Sequence, residues 1–172
     1  MGGKSSKDEI KKIYDTDHGT YLFVGHDVQD KDHTVYTCSK DAFDKNTQNF
    51  ETRTPFVIHP LGNSTFQIYD YSKKAYLFVG HSKDQGNDHT VYASEQPNWQ
   101  DQNDFNKRTT FAFEKTDKYK ELYRIKDVDH NAFLFVGNSK DNSGDHTLYA
   151  VPQDKFFNNQ NEWGRRTIFE LQ

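Results

Sequence analysis

Three times along this chain an aspartate stands immediately before a histidine and a threonine: Asp32-His33-Thr34, Asp88-His89-Thr90 and Asp145-His146-Thr147. Each trio closes a polar segment that opens on His26, His81 or Asn138 and changes length from copy to copy. A carboxylate supplies directional acceptors for hydroxyl groups, and an imidazole offers both a donor and an acceptor. With a flat aromatic face for C–H stacking, supplied by Phe43, Trp99 or Phe157 in the segments that follow, these residues make up the inventory of a carbohydrate site. The same residue types have structural uses as well. An aspartate before a strand caps a turn through backbone N–H groups, and a His-Thr pair can continue the strand outward. Asp15, Asp70 and Asp127 form a second threefold set that reads as turn residues.

No catalytic motif is present: there is no Gly-x-Ser-x-Gly, no His-Glu-x-x-His and no phosphate-cradling glycine loop. The expected protein is therefore not an enzyme and carries no cofactor. Cys38 is the only cysteine, which leaves no disulfide and no sign of a structural zinc site. Asp141-Asn142-Ser143-Gly144-Asp145 lacks the oxygen spacing and closing glutamate of a calcium loop, so no metal site is expected. A formal charge of −4, with basic residues scattered among acidic ones, gives no footprint for nucleic acid. No apolar run approaches the ~18 residues of a membrane span, and the expected compartment is cytoplasmic. Met1-Gly2-Gly3-Lys4-Ser5-Ser6 fits a myristoylation pattern with Gly2 as acceptor, and Lys4, Lys7, Lys11 and Lys12 would add attraction to anionic lipid. Protonating all eight histidines would move the formal charge from −4 by +8 to +4, which makes binding to an acidic surface pH-dependent.

The elements that must position these residues repeat with them. Tyr21-Leu22-Phe23-Val24-Gly25 recurs as Tyr76-Leu77-Phe78-Val79-Gly80 and Phe133-Leu134-Phe135-Val136-Gly137. Asp-His-Thr-Val/Leu-Tyr follows in each copy, then Arg53-Thr54, Arg108-Thr109 and Arg166-Thr167. Blocks this short, rich in aromatic and β-branched residues and bounded by Gly, Asp, Asn and Ser, are strands between turns. Alternation puts Leu22 and Val24 on the core face and Tyr21 and Phe23 on the other. Phe56 and Ile58, Phe111 and Phe113, and Phe169 and Leu171 share a face in the last block. Helical periodicity is weak, and Asn98 to Asn106 reads as loop. Residues 1–8 form a tail. Residues 9–172 form one all-β domain of about twelve strands in three four-stranded repeats, near 9–63, 64–118 and 119–172.

Three such units are too few to close a propeller, and the pattern resembles the β-trefoil superfamily. Gln48-Asn49-Phe50, Asn103-Asp104-Phe105 and Asn161-Glu162-Trp163 are similar to the Gln-x-Trp signature of ricin-type lectin domains. That likeness implies an aromatic filling the core and an amide satisfying buried backbone. The Asp-x-x-Val-Tyr blocks are also similar to the trefoil half of moth haemolymph low-molecular-weight lipoproteins. In ricin-type domains the sugar-binding aspartate lies in the second strand, where this chain carries Phe23, Phe78 and Phe135, so the galactose site of that family is absent. The first expectation is a lectin-like module binding glycans or glycoconjugates at up to three sites. The second follows from a resemblance to the hisactophilins: a myristoylated, pH-sensitive adaptor for anionic membrane or actin.

Overall fold

The computed structural model describes residues 7–172; the lipidation candidate Gly2 lies outside them. Each repeat supplies four strands. The first holds β1 (Glu9–Asp15), β2 (Thr20–Gln29), β3 (Asp32–Ser39) and β4 (Pro55–Gly62). The second holds β5 (Thr65–Asp70), β6 (Ala75–Lys83), β7 (His89–Glu95) and β8 (Phe111–Lys115), and the third β9 (Leu122–Asp127), β10 (Ala132–Lys140), β11 (His146–Pro152) and β12 (Phe169–Leu171). Strands β1, β4, β5, β8, β9 and β12 pair in a closed antiparallel ring, which leaves no free edge for another chain to extend. The hairpins β2–β3, β6–β7 and β10–β11 form a second layer, in which β3, β7 and β11 pair with one another in a triangle.

The core follows the expected alternation. Leu22, Val24, Phe56, Ile58, Phe111 and Phe169 are buried together with their counterparts, except that Phe113, the counterpart of Ile58, is partly buried against them. Tyr21 and Phe23 lie on the opposite face of β2, as the alternation places them, and that face is buried as well. Its cover is a set of short helices: α1 (Lys40–Lys45), α2 (Thr47–Arg53), α3 (Gln102–Arg108), α4 (Gln153–Asn158) and α5 (Gln160–Arg166). They enclose satellite aromatic clusters, Tyr21 and Phe23 with Phe43 and Phe50, and Phe133 and Phe135 with Phe156 and Trp163. The segment Asn98 to Asn106 is accordingly not a loop throughout, since α3 begins at Gln102. Asp101 caps it by accepting from the Asn103 and Asp104 N–H groups.

The Gln-x-Trp-like triplets fall in α2, α3 and α5. Phe105 and Trp163 are buried in the outer clusters and Phe50 packs against its own, while the amides of Gln48, Asn103 and Asn161 face solvent. The task expected of those amides passes to arginines. Each long hairpin strand bulges, with register shifts after Val24, Val79 and Val136, and Arg53, Arg108 and Arg166 donate to those three carbonyls at 3.1, 3.2 and 3.2 Å.

Candidate functional site

The bulge explains why three separate motifs recur together. The carbonyl of the residue after each valine accepts from a histidine: His33 Nδ1 lies 2.8 Å from Gly25 O, His89 Nδ1 2.7 Å from Gly80 O and His146 Nδ1 2.6 Å from Gly137 O. A carbonyl only accepts, so Nδ1 carries the proton in all three rings. All three histidines are buried at the start of strands β3, β7 and β11. The glycines are needed because a tyrosine ring of the partner strand lies on them. A Cβ on Gly25 would fall 2.6 Å from Tyr36 Cε2, on Gly80 2.9 Å from Tyr92 Cε2, and on Gly137 2.7 Å from Tyr149 Cε2. Each arginine then stacks over the neighbouring phenylalanine, with Arg53, Arg108 and Arg166 at 4.7, 5.0 and 4.9 Å from the rings of Phe23, Phe78 and Phe135.

The turn aspartates take the role expected of them. Asp15 accepts from the backbone of Asp17 and His18, Asp70 from Lys73 and Asp127 from His130, and all three carboxylates are buried. Burial pushes each of them above the ordinary carboxylate value, against the hydrogen bonds that pull it down.

The residues aligned with one another separate once the symmetric frame is set aside. Asp88 enters a cleft of about 730 Å³ between the β6–β7 turn and α4–α5, with Asn138 on its wall. Lys155 grips Asp88 at 2.9 and 3.0 Å and also donates to the Gly86 carbonyl. Desolvation raises the Asp88 carboxyl and Lys155 opposes that shift. Tyr149, Phe135 and Trp163 underlie the cleft; Asp84, Asp154, Asn158, Asn159, Glu162 and Arg166 complete its polar wall. Arg166 and Lys155 stand over the Trp163 ring at 4.8 and 5.1 Å, so cations already occupy that aromatic face. The pseudo-equivalent cleft around Asp32, with Phe78, His81, Tyr92 and Arg108, is smaller at about 360 Å³. Burial also raises the carboxyls of Asp32 and Asp145; Ser94 opposes this at Asp32, and Asp141 adds to it at Asp145.

A second cavity of about 670 Å³ adjoins the large cleft through Asp154 and is lined by Lys83, His89, His130, Asn131, Gln153 and Phe157. Phe157 is 51% exposed and offers an open aromatic face there. Phe43 and Trp99 do not. Phe43 is half-buried against Tyr21 and Phe50, and Trp99 stands edgewise on Phe78 and Phe105 beneath Arg108. Phe156, not Phe157, is the packing counterpart of Phe43, since it meets Phe133 as Phe43 meets Tyr21. His26, His81 and Asn138 are exposed at the three bulges. Asn138 Oδ1 meets His18 Nε2 at 3.0 Å, and His81 Nδ1 meets His130 Nε2 at 2.8 Å. The Arg53 charge, followed by desolvation, holds His26 below the ordinary histidine value; desolvation does the same for His81 and His89. Sequence reading missed Lys155, Asn158, Asn159 and Arg166. One signal was legible: matching Phe156 to Phe43 puts Lys155 where the first repeat has Ala42.

No protein-family model matches the chain, and no curated protein matches it. Solved structures do. A designed threefold-symmetric protein, ThreeFoil, superposes with a TM-score of 0.65 at 12% identity, covering 94% of this chain and 96% of that one. The fold is a β-trefoil. The SDF2-like protein of Arabidopsis thaliana shares this trefoil with a TM-score of 0.68 at 10% identity, over 95% of this chain and 91% of that one. An exo-beta-1,3-galactanase from Clostridium thermocellum matches at 0.63 and 13% identity, over 94% of this chain and 29% of the enzyme. No helix of the described residues is long and apolar enough to cross a membrane.

Proposed function

We propose that this trefoil is a non-enzymatic carbohydrate-binding module whose principal site is the cleft around Asp88, extended by the adjoining cavity at Phe157. The observation that carries this reading is the chemistry of the cleft. Four carboxylates, Asp84, Asp88, Asp154 and Glu162, stand against two cations, Lys155 and Arg166, among the amides of Asn87, Asn138, Asn158 and Asn159. A wall with that balance repels anionic ligands and is rich in directional partners for neutral hydroxyl groups. Phe157 supplies the stacking face that the cation-covered Trp163 ring does not.

Two observations favour binding over catalysis. The Asp15–His18 and Asp127–His130 pairs resemble the orienting half of a triad, yet the outer nitrogen of each ring already meets Asn138 or His81 where a nucleophile would have to sit. Cys38 is buried, and its thiol is pushed up to about 12, far from reactive. The adaptor alternative draws on the histidines, of which His33, His89 and His146 are committed to backbone carbonyls.

A glycan array at neutral pH with multivalent display tests the proposal. Hits sharing one terminal sugar, lost in Asp88→Ala and Phe157→Ala but kept in Asp32→Ala, are the expected result. A blank array, or hits that survive both substitutions, overturns it.

A further inference from the structure

Each turn between the first and second strands of a repeat reaches the bulged hairpin of the preceding repeat, and the three contacts differ in chemistry. His18 meets Asn138 through a ring nitrogen and amide oxygen and packs on His146 at 4.6 Å between centroids. Lys73 holds the corresponding position near His26, where its charge helps to depress His26. At the third contact His130 meets His81, with His130 Nε2 and His81 Nδ1 2.8 Å apart, and packs on His89 at 4.6 Å. Of the three, this is the contact that places two imidazole nitrogens face to face. Asp129 joins them, so that one ligand atom from each of His81, Asp129 and His130 lies within 4.8 Å of the others.

We propose that His81, Asp129 and His130 form a site for a zinc-class divalent transition metal. The supporting geometry comes from outside the ligand set. The buried Asp127 carboxylate holds His130 Nδ1 at 2.6 Å, which fixes the proton there and leaves the lone pair on Nε2, facing His81. A carboxylate behind a histidine is the usual way a metal-binding ring is oriented and made more basic. Two imidazoles and a carboxylate suit zinc, with a fourth position open to water or another ligand. A tetrahedral ion with bonds of about 2.0–2.1 Å separates its ligand atoms by roughly 3.3 Å. Binding therefore requires the two nitrogens to part by about half an ångström, with the His81 ring proton moving from Nδ1 to Nε2 so that Nδ1 can ligate. Exposed His81 has room to do so. Lys107 lies 3.3 Å from Asp129 but is itself 71% exposed, so its flexible end can leave as the cation enters.

The sister contacts supply the test substitutions. The full chain, stripped with chelator, is titrated with zinc chloride by calorimetry, and cobalt(II) replaces zinc for visible absorption. The expected result is one saturable equivalent, a tetrahedral cobalt spectrum, and at least tenfold weaker binding in both His81→Asn and His130→Lys. These variants reproduce the residues at Asn138 and Lys73, so their melting temperatures stay close to wild type without metal. Binding that is absent, or unchanged in both variants, shows a hydrogen-bonded histidine pair only and overturns the site. Glycan binding through Asp88 is scored separately, so the two readings fail independently.

Discussion

His33→Phe separates the structural role of the threefold histidines from a ligand-binding role. In the folded protein His33 is 8% exposed, and its Nδ1–H is given to the Gly25 carbonyl at 2.8 Å inside the bulge. Phenylalanine keeps the ring and most of its volume, so the substitution removes a donor without opening a large cavity. It leaves a carbonyl unpaired where water has little access, and such a loss costs about 1–3 kcal/mol. For a chain of this size each kcal/mol shifts the melting temperature by roughly 2–4 °C, so the midpoint falls by about 2 to 12 °C. His26→Phe, one residue past the same glycine but solvent-exposed, stays within about 0.5 kcal/mol of wild type. Thermal and urea unfolding followed by circular dichroism give both numbers. If His33→Phe melts within about 1 °C of wild type, the bulge does not depend on that bond, and the assignment of all three histidines to the frame fails with it.

Three further outcomes follow from the same frame. Gly25→Ala destabilises by about 1–3 kcal/mol, because the new methyl meets the Tyr36 ring at 2.6 Å and the Thr34 carbonyl at 3.1 Å; Tyr36→Leu in the same chain recovers part of the loss, as urea midpoints would show. Arg108→Met strips the Val79 carbonyl of its donor and lowers stability by about 1–3 kcal/mol, whereas Lys107→Met on the same helix changes it little. Burial raises the Asp70 carboxyl above its ordinary value of 3.8, so folding takes up a proton. The stabilisation from that group is complete below the unfolded value and is lost as pH rises through the folded one. Asp70→Asn removes this slope, so the melting temperature of the variant minus that of wild type is greater near pH 7 than near pH 4; the reverse trend refutes the assignment.

The strands, their threefold order and the central core were legible because each block alternates with period two and ends in turn residues. The second buried face was not, since Tyr21 and Phe23 alternate with Leu22 and Val24 whether the outer face meets water or helices. Those helices left no periodicity to read. At six or seven residues none buries more than two side chains: α1 and α2 bury none, α3 only Phe105 and α4 only Phe156. Two of them are capped by side chains, Ser39 before α1 and Asp101 before α3. Asp88 and Asn138 were named from sequence and do share a cleft, but Lys155 enters it from a helix 67 residues beyond Asp88, a distance no local pattern reports.

Threefold recurrence alone does not separate a structural histidine from a ligand-binding one; the hydrogen bonds do. His33, His89 and His146 serve the same bulge in every copy, together with Arg53, Arg108 and Arg166. Chemistry that the frame does not require is found where the copies part. Asn138 stands where the other copies have His26 and His81, and across the contact Lys73 stands where the other copies have His18 and His130. Lys155 differs from its counterpart Ala42, and it is the residue that turns the Asp88 corner into a charged, walled cleft. In a trefoil built this way, identical residues hold up the bulge and unlike ones distinguish the three surfaces. A ligand or metal that engages one repeat and not its sisters is the functional signature to look for.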